Sequence, residues 1–219
     1  LRWQWRDYLS KQVPEEYLEE LRGLTAGGYA AGLTADIGDL SAQGIVLANF
    51  PGDLKNLKYL FRDEWENRDK MSAFLALMES KMPEGRLVGM QCSMFGVWGS
   101  RTDSGNIFAG RNLDWVEGTG VATYKLLTVH HPENGNAHVT VGFAGLWGAL
   151  AGMSAAGLTV HEANLEADHI TFRGFPWVLR LRHVMAYAND LASAKDIFAS
   201  TNNTVGFNHM VGSAKEQNA

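Results

Sequence analysis

The feature that most constrains this chain is a change of hydrophobic period at Pro83-Glu84-Gly85. Before it, apolar residues recur at helical spacing; after it, short apolar runs alternate with turn residues. Pro14 followed by Glu15 and Glu16 resembles a helix start, with Tyr17, Leu18, Leu21 and Leu24 on one side and Gly27-Gly28 as the stop. A second helix is expected over Asp36 to Phe50, closed by Pro51-Gly52. Leu54 to Met78 reads as a third helical stretch whose charges form a solvated face.

From Leu87 the pattern predicts strands over Cys92–Trp98, Asn106–Leu113, Tyr124–His131, Ala137–Gly145 and Leu158–Ala163. Gly99–Gly105 is a polar turn, and Asn134-Gly135 marks a hairpin because both residues tolerate positive φ. Pro176–Ala188 and Leu191–Ala199 read as a closing helix pair. Helices, then antiparallel strands, then helices make the fold class α+β. The organisation expected is a helical segment over residues 1–91 and a second unit over residues 92–219.

Composition narrows the function. Of 219 residues, 46% are hydrophobic and 20% charged, enough for one substantial core. The net charge of −5 and the absence of a basic cluster argue against nucleic acid as a partner. No apolar run approaches the roughly 20 residues of a membrane span. A single cysteine excludes an internal disulfide framework and a multi-cysteine zinc site. The chain opens on Leu1 without a signal-peptide pattern, which reads as a processed or trimmed product and leaves the compartment open. The sequon Asn202-Asn203-Thr204 matters only in a secretory setting.

That cysteine, Cys92, heads an apolar run and is followed by a turn and a second run carrying Gly110-Arg111-Asn112-Leu113-Asp114-Trp115. Cysteine is strongly nucleophilic once a base or a nearby cation favours its thiolate. None of the seven histidines is paired with Cys92 by a local signature. A cut between Gln91 and Cys92 would supply a different base. The freed α-amino group titrates at about 7.7–8.0 and can shuttle a proton at neutral pH. Arg111 and Asp114 return beside Cys92 after the turn, a cation for the thiolate and a carboxylate for the ammonium group. Taken alone, Cys92 also fits an unreactive buried strand residue of a non-enzymatic α+β interaction module.

These residues resemble the N-terminal nucleophile (Ntn) hydrolases of the choloylglycine hydrolase superfamily, and within it the acyl-coenzyme A:isopenicillin N (6-aminopenicillanic acid) acyltransferase-like branch. Bile salt hydrolases, acid ceramidase and N-acylethanolamine acid amidase are more distant members. Cys92-Ser93, the turn ending in Gly105, and Gly110 to Trp115 carry the likeness. Glu19-Glu20-Leu21-Arg22-Gly23-Leu24 is similar to a propeptide motif of that branch, and Gly157 to Asn164 to a strand ending in an oxyanion-hole asparagine. Gly174-Phe175-Pro176-Trp177, leading into Arg180, is similar to its helix start.

The resemblance implies an αββα sandwich preceded by a helical propeptide or α-subunit. It implies Cys92 as nucleophile and, with Gln91, as the self-cleavage site, and Arg111 as a thiolate and substrate contact. Asp114 would anchor the new α-amino group, and Asn164 would donate its amide to the oxyanion. The substrate would be a small acyl amide, hydrolysed or used to acylate an amine, with no cofactor and no metal. Partners would be the chain's own propeptide and a further C-terminal segment, and a homo-oligomer is compatible. Members carry further strands and a later catalytic asparagine, which Asn203 and Asn208 do not match. A lysosomal phospholipase B-like or ceramidase-like lipid hydrolase is the other activity this superfamily allows.

Three other patterns carry less. Gly118-Thr119-Gly120 reads as a loop and Gly152 to Gly157 as a tight turn. His130-His131, Glu133 and His138 read as a hairpin surface, since adjacent strand histidines face opposite ways. The tryptophans are core candidates, with Trp115 and Trp147 also candidates to line an acyl pocket.

Overall fold

The structure, a computed structural model, describes residues 1–49, 91–114, 122–163, 165 and 170–219. The helical reading of residues 54–78, the break at Pro83, the strand onset at Leu87, Trp115, Gly118-Thr119-Gly120 and Asn164 lie outside the described residues.

Among the described residues three α-helices lead: α1 (Arg2–Asp7), α2 (Glu15–Ala30) and α3 (Ile37–Ala48). Pro14 caps α2, with Glu15 and Glu16 in its first turn as the sequence predicts. The helix runs through Gly27-Gly28, however, and stops at Gly32, whose φ of +83° a side-chain-bearing residue rarely adopts. Gly28 serves packing instead: a Cβ there would stand 3.0 Å from Ile37 of α3. Asp36 caps α3 by accepting from the Asp39 amide at 2.9 Å.

Among the described residues seven strands follow: β1 (Gln91–Val97), β2 (Phe108–Asp114), β3 (Lys125–His130), β4 (His138–Phe143), β5 (Ala151–Ser154), β6 (Leu158–Ala163) and β7 (Asn208–Ser213). Between β6 and β7 lie α4 (Trp177–Tyr187) and α5 (Leu191–Ser200). β1 and β2 form one antiparallel pair; β3-β4-β5-β6-β7 form an antiparallel sheet in that order. The class is α+β, as expected. β5 and β7 were not predicted. Ala151 to Ser154 lacks an apolar alternation, and β7 is specified by pairing with β6 rather than by its own composition.

The five-stranded sheet has two different faces. On one, α4 lies so close that a Cβ on Gly152 would stand 2.5 Å from the Met185 sulfur. The core fills this side: Leu158 and Val160 of β6 meet Val178, Leu181, Val184 and Met185 of α4, together with Leu9, Val13, Tyr17, Ile45 and Val46 of the leading segment. Residues 1–49 therefore share one core with the strands. On the other face lies the β1–β2 pair. A Cβ on Gly96 would touch the Met210 sulfur at 3.4 Å, and one on Gly212 would stand 2.7 Å from Ile107. β1 is thus buried on one face only; Phe95 and Val97 on its outer face are 57% and 38% exposed.

Of the residues expected on the hairpin surface, His131 and Glu133 are exposed, but His130 and His138 are not surface groups. His130 and His138 face each other in register and stack at 4.6 Å, and His138 is buried. His130 also meets Arg182 of α4 at 3.2 Å, and Arg182 holds Glu20 of α2 through contacts of 2.7 and 2.8 Å. Trp147 is buried against Trp5 and donates to Glu20 at 3.3 Å, which commits it to the packing of α1 and α2.

Candidate active site

Cys92 is the second residue of β1, and the register of the pair decides what stands around it. Cys92 lies opposite Leu113 and Met94 opposite Arg111, so Arg111 is the diagonal neighbour of Cys92 on the same pleat face. Gly96, two pleats along, points at Met210 of β7, so this face is turned into the layer between the two sheets.

The Arg111 guanidinium connects three groups. Its Nη2 donates to the Cys92 sulfur at 3.0 Å, its Nε donates to the Glu162 carbonyl at 2.7 Å, and Nη2 also pairs with the Glu162 carboxylate. The Arg111 and Glu162 side chains are 6% and 2% exposed, so this ion pair is almost dry. Burial pushes the Glu162 carboxyl above its ordinary value, against the opposing pull of Arg111. The pair fixes a cation at hydrogen-bond distance from a thiol, an arrangement that favours thiolate.

Asp114 sits at the end of β2 opposite Gln91, the residue before Cys92. It belongs to the other pleat face, where its carboxylate accepts from Asn112 Nδ2 at 2.7 Å. The structure thus brings Cys92 and Arg111 into contact and sets Asp114 across from the residue whose peptide bond is of interest.

Two residues beside this cluster were not singled out from the sequence. Glu162 had a signal: a carboxylate inside the apolar run Leu158–Ala163 must be paired or neutralised when buried. Its neighbour His161 alternates to the face turned towards β1 and β2, shared with Thr159. It is 8% exposed, and neither ring nitrogen has a hydrogen-bond partner among the described residues. Burial first, and then the Arg111 charge, hold its pKa below the ordinary 6.5, so the ring is neutral at neutral pH. No group of three or more metal-ligating side chains is assembled among the described residues. No described helix is long and apolar enough to cross a membrane.

Comparison with known proteins adds a family. Residues 100–219, more than half of the chain, match the model of the acyl-coenzyme A:6-aminopenicillanic acid acyl-transferase family. The matched span holds Arg111, Asp114 and Glu162, and Cys92 lies just before it. A protein of Archaeoglobus fulgidus described as uncharacterized is 26% identical over 208 residues, covering 94% of this chain and 31% of that protein. Protein dcd1B of Dictyostelium discoideum is 28% identical over 136 residues, 61% of this chain and 27% of its own length. The chain therefore spans about a third or less of the length of these curated relatives.

Proposed function

The chain belongs to the acyl-coenzyme A:6-aminopenicillanic acid acyl-transferase family, and on that premise we propose that it is a cysteine Ntn enzyme. It cuts itself between Gln91 and Cys92 and then acts on linear amides through an acyl-thioester on Cys92. The observation that carries the reading is the Arg111 guanidinium, 3.0 Å from the Cys92 sulfur and anchored by a buried carboxylate.

In the mature enzyme the α-amino group of Cys92 takes the thiol proton, and the thiolate held by Arg111 attacks the substrate carbonyl carbon. The tetrahedral oxyanion is met by the Asn164 side-chain amide; a preorganised donor of this kind is worth roughly 2.7–4 kcal/mol in such reactions. Collapse expels the amine, which takes the proton from the α-ammonium group, and leaves an acyl-thioester. Water completes a hydrolysis, or a second amine completes an acyl transfer. Asp114, opposite Gln91, holds the new terminus in place.

The architecture supports an αββα sandwich. One layer of the five-stranded sheet's outer side is already a β-pair, while the apolar strand residues Leu127, Val129, Val141 and Met153 on that same side remain 53–62% exposed. A facing sheet covers residues of this kind, and a further segment extending the β1–β2 layer would do so here. Residues 1–49 stay docked after the cut because their apolar side chains belong to the common core.

The test is to trap the intermediate. Incubation with a linear N-acyl amide and rapid acid quenching should leave one acyl mass on the peptide that begins at Cys92, removable by hydroxylamine. A Cys92→Ala protein that still turns over the amide would overturn the proposal.

A further inference from the structure

We infer that His161 is the proton acceptor for the Cys92 thiol in the self-cleavage step, an inference that rests on the reading of Cys92 as a self-cleaving residue. Before the cut, the nitrogen of Cys92 is an amide with no basic lone pair, so the mature enzyme's base does not yet exist. Another group has to take the thiol proton once.

The packing of the two sheets makes His161 the candidate. Cys92, Met94 and Gly96 share the pleat face of β1 that looks into the inter-sheet layer, where Gly96 meets Met210. Met210 lies opposite His161 in the β6–β7 register, so its side chain and that of His161 enter the same layer from below. Arg111 joins the two sides, touching the Cys92 sulfur with one nitrogen and the backbone of Glu162, the next residue after His161, with another. Among the described residues the charged group acting on the ring is Arg111 from the hairpin, which also holds the Cys92 thiol and, beside the ring, Glu162; Met210 and Ala151, its partners in β7 and β5, are uncharged.

An imidazole that is 8% exposed with both nitrogens unpartnered among the described residues is costly to keep, and such a group calls for a reason. A purely structural histidine would gain by bonding a neighbour. One kept neutral, with a lone pair that meets no donor among the described residues and lies in the layer that holds a thiol, can accept a proton.

The step balances without a further reactant. The Cys92 S–H proton moves to the His161 ring as sulfur bonds to the Gln91 carbonyl carbon. The tetrahedral intermediate collapses by breaking the Gln91–Cys92 C–N bond, and His161 returns the proton to the departing nitrogen, which becomes the free α-amino group. Water then hydrolyses the thioester at Gln91.

The experiment follows cleavage of freshly made precursor, from cell-free synthesis, by intact mass between pH 4 and 9. Wild-type precursor should cut with a rate that falls away in acid, following a titration below 6.5. His161→Gln should cut about 100-fold or more slowly at pH 7, a size typical of a lost general base. Its residual rate should rise tenfold per pH unit with hydroxide, whereas a merely structural change would lower the whole profile and keep its shape. His161→Asn is the second variant, and unfolding of each in a Cys92→Ala background checks the fold. A His161→Gln precursor that cuts within threefold of wild type and keeps the acid limb overturns the inference alone. Should both variants fail to fold, the wild-type profile decides, and a rate with no acid limb overturns it. A wild-type precursor that never cuts overturns the self-cleavage reading with it.

Discussion

Glu162→Gln tests whether the almost dry Arg111–Glu162 ion pair clamps β2 to β6. With both side chains 6% exposed or less, the substitution leaves Arg111 buried beside Cys92 without its counter-charge. At an effective dielectric of about 20, two unit charges about 3 Å apart attract by roughly 5 kcal/mol. Measured losses on breaking a buried pair run at about 3–5 kcal/mol. The Arg111 bond to the Glu162 carbonyl survives and the glutamine oxygen still accepts, so the lower end, about 3 kcal/mol, is expected. For a chain of this size that is a fall in melting temperature of about 6–12 °C. Arg111→Met should cost less in acid than at neutral pH. Glu162, whose pKa burial already raises, can then take up a proton and remain buried as a neutral acid. Arg111→Met combined with Glu162→Leu removes both charges and should be less destabilised than Glu162→Gln alone. Thermal and urea unfolding followed by circular dichroism, on the Cys92→Ala background, read all three. Single losses below 1 kcal/mol that add in the double variant would refute the clamp.

Gly152→Ala should cost about 1–3 kcal/mol by overpacking, because its Cβ would press on the Val139 carbonyl and the Met185 sulfur; unfolding midpoints check it. Glu20→Ala should loosen α2 by roughly 1–2 kcal/mol, kept modest by the half-exposed Glu20 although Arg182 is buried, and should speed amide exchange in residues 15–30. His130 and His209 are each pushed down to about 4, chiefly by burial, with Arg182 and Arg180 respectively adding to it. Their folded-state values lie below the unfolded 6.5, so the unfolded chain binds more protons between them, and stability is lost as pH falls from about 6.5 to 4. His209→Phe should flatten that acid loss in urea titrations at fixed pH.

Local chemistry carried most of what was legible. Pro14 with two glutamates, Asp36 before Ile37, and Pro176 before Trp177 each start a helix where expected, because caps act within one turn. Strands with β-branched alternation, such as Leu158–Ala163, were found to the residue. The misses are non-local. Gly28 reads as a stop until Ile37 is seen to need the space, and β7 exists because β6 offers an edge. In the candidate site, the proximity of Cys92 and Arg111 is legible because a turn returns one beside the other. Glu162 and His161 were passed over because their meaning depends on a second sheet lying across β6, which no local pattern reports. His130 and His138 read as surface in the sequence for the same reason: the helix that covers them lies more than forty residues further on.

The proposed activity depends on one peptide bond, Gln91–Cys92. Intact mass and amino-terminal sequencing of the purified wild-type protein and of Cys92→Ala measure it directly. The prediction is a wild-type fragment whose first residue is Cys92, and a Cys92→Ala protein in which Gln91 remains joined to residue 92. A wild-type chain left whole after prolonged incubation at neutral and acidic pH, or a Cys92→Ala chain cut at the same place, would contradict it.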